Sequence, residues 1–399
     1  MSLRTYNRRE FLARGTSAAV LGAFATPFIS KFAYGASATP KYEILETKTI
    51  SFPGDCYYGW PTVAKRGSEL LVVTSGGREG HVCPFGRVEL FRSHDNGATW
   101  TYPQVIYDSP IDDRDAGICV TDKGTILVTT FTSMGFVDMV MEEKNLRDQG
   151  KGRPEIWSDG RFDKWKRVCN RISDEQKKSD LGCWMFRSTD GGVTWSERYA
   201  TPVNSPHGPI QLSNGTLLYV GDELVTPEHR VGASVSEDDG QTWQIKGYLE
   251  PRDGDDIHGY YELHAVEADD GRIVAQIRNG NQNNPDENLQ TVSKDGGATW
   301  TKPRAIGVWG IPSFLMKLKD GRLLMTYGYR RAPLGVKARV SDDNGDTWSE
   351  EMTVYAEGKS GDIGYPSTVQ LDDGSLYTVW YEVQEGWFAK LRAARWSID

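Results

Sequence analysis

The sequence predicts an all-β fold, a six-bladed β-propeller with a partly helical insertion in its second blade. Three observations carry this. An eight-residue turn motif occurs five times, a Gly turn opening into a β-type run occurs six times, and the two alternate along the chain.

The motif reads Ser-x-Asp-x-Gly-x-Thr-Trp. Its copies run from Ser93 to Trp100, Ser188 to Trp195, Ser236 to Trp243, Ser293 to Trp300 and Ser341 to Trp348. Its chemistry is that of a strand-connecting turn. The Asp side chain folds back on the local backbone, the Gly supplies a positive φ, and the Trp packs into the blade. A device repeated in every blade stabilises turns, so its aspartates are not expected to be catalytic.

The second repeat centres on Gly67, Gly124, Gly215, Gly271, Gly321 and Gly374. Each of the first five is followed by a motif, and the sixth is not. The count is therefore six blades of four strands. The last blade needs a strand from elsewhere, and the Tyr42–Phe52 segment can supply it. Closing the ring in this way removes the exposed sheet edge.

Trp195 and Trp243 are 48 residues apart, as are Trp300 and Trp348, whereas Trp100 and Trp195 are 95 apart. Blade two thus carries an insertion, Ser133 to Leu181. It is highly charged, with helix-like pieces at Val137–Gln149 and Asp163–Lys178, and is expected to roof part of the site.

The 399 residues include 13 Trp and 18 Tyr, and the net charge is −9. Acidic and basic residues are mixed, with no basic stripe, so nucleic acid is not an expected partner. At the amino terminus, Asn7-Arg8-Arg9-Glu10-Phe11-Leu12 precedes an apolar stretch from Thr16 to Ile29. A small-residue site, Ala36-Ser37-Ala38, follows. The order resembles a twin-arginine export signal over residues 1–38. The propeller then occupies 39–399, in the periplasm or secreted, without a membrane span. Five cysteines cannot pair fully, and their spacing matches no zinc pattern. No metal or cofactor is expected.

The register also places the site. Both repeated turns lie at one end of the ring. The opposite end receives the start of each innermost strand and the end of the next. Nine residues before each turn Gly stand Tyr58, Asp115, Pro206, Glu262, Pro312 and Tyr365. Strand alternation gives these one orientation, toward the mouth of the axis. Trp60, Arg114, His207 and His264 fall on the same rim. The ends of second strands add Arg78, His81, Glu223, Arg278, Arg330, Arg331 and Glu382. Such convergence marks a binding site.

With blades and motifs in place, the chain resembles the sialidase (neuraminidase) superfamily over nearly all of residues 39–399. Gly364-Tyr365-Pro366-Ser367 looks like the segment carrying the nucleophilic tyrosine. Tyr261-Glu262, with Arg278, looks like the segment carrying its activating glutamate and one arginine of a carboxylate-binding triad. Arg331, or its neighbour Arg330, stands where another triad arginine is expected. Arg78 and Asp115 resemble the pair bordering the sugar ring. Two positions depart from the pattern. Tyr58-Gly59-Trp60-Pro61 replaces an Arg-Ile-Pro element, so the first triad arginine is absent. The loop Arg78-Glu79-Gly80-His81-Val82-Cys83 lacks the acid/base aspartate and offers Glu79 or His81.

The resemblance implies an exo-acting glycoside hydrolase that cleaves a terminal, anionic sugar from a glycan. Catalysis would fall to Tyr365, Glu262, His81 or Glu79, and Asp115. Arg78, Arg278, Arg331, Arg330, His207, His264 and Trp60 would bind substrate. Two other readings stand beside it. One is a polysaccharide lyase or non-sialic glycosidase using Tyr365 with His207 or His264. The other is a non-catalytic carbohydrate-binding propeller.

Overall fold

The computed structural model describes residues 40–52, 54, 56–282 and 284–399; the export signal read over 1–38 lies outside them. Six four-stranded antiparallel sheets follow one another around the ring. Five are built from consecutive strands. The sixth takes Tyr42–Thr49 as its outermost strand, paired antiparallel with Phe388–Ile398. The ring is closed by its amino-terminal segment, as the motif count requires.

The repeated motif forms the same turn five times. In the first copy Ser93 Oγ donates to Asp95 Oδ1 at 2.8 Å and accepts from Gly97 N–H at 2.8 Å. Thr99 donates to Asp95 through its hydroxyl at 2.6 Å and its amide at 2.8 Å. The bonds from Thr99 hold Asp95 down to about 2. A carboxylate locked in its charged form has no part in proton transfer near neutral pH. The motif Gly also touches the preceding blade. Gly240 has φ +84°, and a Cβ there would lie 2.6 Å from Leu127 Cδ1.

Apolar faces of adjacent blades make the core. Leu218, Val220 and Ala233 of blade three pack with Leu263, Ala275 and Leu289 of blade four. The insertion joins the second and third strands of blade two, at the end of the ring opposite the turns. It forms α1 (Gly135–Asp148), α2 (Asp159–Asn170) and α3 (Asp174–Asp180). The single second helix expected over Asp163–Lys178 is in fact two. Ser158 caps α2 by accepting from Arg161 N–H, and Ser173 starts α3 by accepting from Gln176 N–H. Phe136, Val140, Trp157 and Trp165 of the insertion bury themselves against Val82 and Cys83 of blade one and Ile111. The insertion therefore buttresses the loop that carries His81. Cys83, Cys119, Cys169 and Cys183 are buried free thiols.

Candidate active site

Four blades interrupt their innermost strand with a bulge at the same level. The register shifts between Gly59 and Thr62, Arg114 and Gly117, Tyr261 and His264, and Gly364 and Ser367. Within each bulge one non-glycine residue has positive φ: Trp60 (56°), Asp115 (48°), Glu262 (53°) and Tyr365 (54°). Left-handed backbone is costly for such side chains and persists where surrounding structure imposes it. A bulge also re-aims a side chain. Blade one thus presents Trp60, not Tyr58. Its hairpin closes with the two residues between Arg66 and Glu69, whereas blades two, four and six use five. Counting from the turn Gly therefore misses by two. Tyr58 packs its ring 5.7 Å from Phe91 instead.

Tyr365 and Glu262 meet. The Tyr365 hydroxyl donates to Glu262 Oε1 at 2.5 Å. Arg278 Nη1 donates to Glu262 Oε2 at 2.6 Å and to the Tyr365 hydroxyl at 3.3 Å. Burial, then the Glu262 charge, pushes the Tyr365 phenol well above its ordinary value, against the pull of Arg278. The tyrosine is therefore a neutral hydroxyl with a carboxylate already on its proton. Glu262 keeps 15% of its side chain exposed, while Arg278 keeps 5%.

Asp115 lies in the same field. Burial pushes its carboxyl up to about 7; the Glu262 charge adds to this and Arg114 opposes it. Its Oδ1 finds no hydrogen-bond partner among the described residues. The folded chain thus holds a proton here that the unfolded chain releases near the ordinary aspartate value. Between those two values the folded state binds more protons, so this site's contribution to stability falls as pH rises toward about 7. Asp115→Asn is expected to abolish that dependence. Its stability relative to the parent should rise from pH 5 to pH 8 by on the order of 2–4 kcal/mol. Urea unfolding at the two pH values measures it, and an unchanged difference would contradict the assignment.

A second cluster sits beside the first. His81 Nδ1 lies 3.1 and 3.2 Å from the two carboxylate oxygens of Asp362 and 2.9 Å from the Tyr57 hydroxyl. Tyr57 and Tyr381 each donate to Asp362 at 2.8 Å. Burial alone would raise the Asp362 carboxyl. The His81 charge and hydrogen bond, with Arg330 and the Tyr381 hydroxyl, outweigh it and hold the group well below the carboxylate range. Trp60 ties the clusters together, its ring 5.0 Å from His81, 6.3 Å from Tyr365 and 6.0 Å from Tyr381. Asp362, Tyr57 and Tyr381 are absent from the sequence-based set. Asp362 and Tyr57 each stand three residues before a bulge residue, and Tyr381 pairs in register with Gly364. Only the bulge positions would have singled them out.

The arginines divide. Arg330 faces the clusters, donating from Nε to the Ile363 carbonyl at 2.8 Å and from Nη2 to the Tyr381 hydroxyl at 3.3 Å. Arg331 turns outward, exposed, with its guanidinium 5.2 Å from the Trp309 ring. Of the two alternatives the structure brings only Arg330 to the side of Tyr365, held there by its bonds to blade six. Arg78 is wholly buried. It forms a two-pronged pair with Asp112 at 2.6 and 3.1 Å and stacks 4.8 Å from the Trp60 ring. It does not reach the mouth where the sequence placed it. Glu79 is held away from the axis by Lys164 and by Trp165 Nε1, both from α2.

His207 and His264 line the axis beneath the mouth, 1% and 3% exposed. Their rings lie 5.4 Å apart, and His207 lies 6.4 Å from Tyr365. Burial, with the neighbouring His264, holds His207 well below the usual imidazole value, and burial lowers His264 to about 3. His264 Nδ1 accepts from Leu315 N–H at 3.0 Å. Both are neutral near pH 7. Among the described residues no group of three or more His, Cys, Asp or Glu is arranged to hold a metal.

A profile of the BNR repeat-like domain family matches residues 157–378, more than half of the chain. The chain is 24% identical over 341 residues to a sialidase of Paraclostridium sordellii, covering 73% of this chain and 72% of that protein. A solved structure of an unknown-function protein from Dyadobacter fermentans aligns with a TM-score of 0.72 at 22% identity, covering 90% of this chain and 99% of that one. Trypanosoma rangeli sialidase aligns with a TM-score of 0.58 at 18% identity, covering 90% of this chain and 60% of that one. At these identities the structural likeness speaks for the fold. Six blades, five repeated Asp turns and the family match together lead to one conclusion: the chain belongs to the BNR repeat-like domain family and is a distant homologue of sialidases.

Proposed function

We propose that the protein is an exo-acting glycoside hydrolase that cleaves a terminal anionic sugar by a covalent, two-step route through Tyr365. The observation that carries this reading is the 2.5 Å hydrogen bond from Tyr365 to Glu262, with Arg278 on both. A carboxylate nucleophile would be repelled by a sugar bearing a carboxylate at its anomeric carbon. A neutral phenol is not, and Glu262 takes its proton as the oxygen attacks. Arg278 and Arg330 flank Tyr365 and supply charge for the sugar's carboxylate. Two displacements at one carbon give retention of configuration.

The hydrogen bonds favour hydrolysis over elimination. The Tyr365 hydroxyl donates its hydrogen bond to Glu262, while His264 Nδ1 is taken by Leu315 N–H. The twin-arginine pattern over residues 1–38 supports a reaction outside the cytoplasm. The test is a panel of 4-nitrophenyl glycosides including the α-sialoside. Turnover of anionic members is expected. Turnover confined to neutral sugars would remove the anionic assignment, and none on any member would remove the hydrolase.

A further inference from the structure

We propose that His81, oriented by Asp362, is the proton donor and acceptor at the leaving oxygen, and that the buried Arg78 and Arg114 are positioning residues for it. The inference rests on the hydrolase reading above and names the group that reading leaves unassigned.

A glycosidic oxygen leaves readily only when protonated, so a group at the open side of Tyr365 must supply a proton. Three side chains come into question. Glu79 is engaged by Lys164 and Trp165. Asp115 stands on the bulge level with Tyr365 itself and is 7% exposed. His81 keeps a quarter of its side chain exposed.

The surroundings of His81 are arranged around its ring and its backbone. Nδ1 faces Asp362, an acceptor-only carboxylate, so it carries a hydrogen, and the exchangeable proton belongs to Nε2. Tyr57 from blade one and Tyr381 from blade six each donate to Asp362 and fix its rotamer, and Arg330 stands behind it. Trp60 meets the ring edge-on. The carbonyl of His81 accepts from Arg78 Nη2 at 2.9 Å and from Arg114 Nη1 at 3.1 Å. Asp112 anchors both arginines. Two buried cations thus hold the loop carrying the imidazole. A carboxylate that fixes the tautomer and stabilises the imidazolium is what a general acid and base requires.

The proton balance is complete. In the first step the Tyr365 oxygen bonds to the anomeric carbon and its proton passes to Glu262. The electrons of the glycosidic bond stay on the leaving oxygen, which takes the Nε2 proton of His81. In the second step water bonds to the same carbon and gives a proton to His81. The Tyr365 oxygen leaves and recovers its proton from Glu262.

The experiment compares 4-nitrophenyl and lactose-linked α-sialosides. Nitrophenolate departs with little need of a proton, whereas a sugar alcohol needs one. His81→Ala is expected to lose about 10²-fold or more in kcat/KM on the lactose-linked substrate and less than about tenfold on the nitrophenyl one. Asp362→Asn should move the alkaline limb of the kcat/KM profile to lower pH. It should also lower the His81 titration seen by nuclear magnetic resonance, a readout that needs no substrate. Equal loss on both substrates, or a His81 titration unmoved by Asp362→Asn, would overturn the assignment. Tyr365→Phe separates this from the broader reading. If that variant keeps activity, the hydrolase reading fails; if it loses both substrates while His81→Ala loses neither, only the role of His81 fails.

Discussion

Tyr365→Phe is expected to lower kcat/KM by about 10³-fold or more while leaving the fold intact, a loss of about 4 kcal/mol of transition-state stabilisation. The substitution removes one oxygen, bonded to Glu262 and Arg278, from a residue that is 3% exposed. Far-ultraviolet dichroism and the urea midpoint should therefore change little. Glu262→Gln is expected to cost between about 10² and 10⁴ in the same parameter, since the amide accepts no proton. The two losses should not add. Once the nucleophile is gone, the base has no proton to take, so the double variant should match Tyr365→Phe. Steady-state kinetics of the three variants on the best-cleaved nitrophenyl glycoside decides this. Additive losses would mean that the 2.5 Å contact is structural and that the residues act separately.

Asp112→Ala is expected to give the largest loss of stability, about 3–5 kcal/mol. Arg78 and Asp112 are both wholly buried and bonded at 2.6 Å. Removing the carboxylate leaves a guanidinium in the core with no compensating charge, and Arg114 loses the same partner. Burial opposes the Arg78 charge, but the neighbouring Asp112 charge outweighs it and keeps the group protonated. The arginine therefore has no route to neutrality. Replacing the pair together, Arg78→Met with Asp112→Leu, should cost far less than Asp112→Ala, because no lone charge remains. Urea unfolding of the parent and both variants measures this. A single variant as stable as the parent would show that water reaches Arg78. The same variants separate folding from catalysis. Were Arg78 a substrate ligand, the double variant would raise KM; as a support for His81, it should act on kcat.

The extent to which the sequence anticipated this molecule follows the range of the forces involved. Six Gly turns, five Asp motifs and one missing motif depend on contacts within eight residues. They give the blade number and the closing strand without reference to the rest of the chain. Glu262, Asp115 and Tyr365 were reached by the same counting, because blades two, four and six share one hairpin length. The shorter hairpin of blade one broke the count and hid Trp60's equivalence to them.

Ring closure decided the rest. Tyr365 and Glu262 are 103 residues apart, and His81 and Asp362 are 281 apart. Neither pairing has a local signature. The left-handed backbone at four bulges has none either, since propensity disfavours it and only surrounding packing imposes it. Which of Arg330 and Arg331 faces the axis, and that Arg78 is consumed by Asp112, likewise depend on side chains brought from other blades. The sequence by itself determined the scaffold and the position of Tyr365, because short-range turn chemistry repeats. Only the tertiary structure decided which charged groups remain open to a substrate, because burial and pairing are properties of the closed ring.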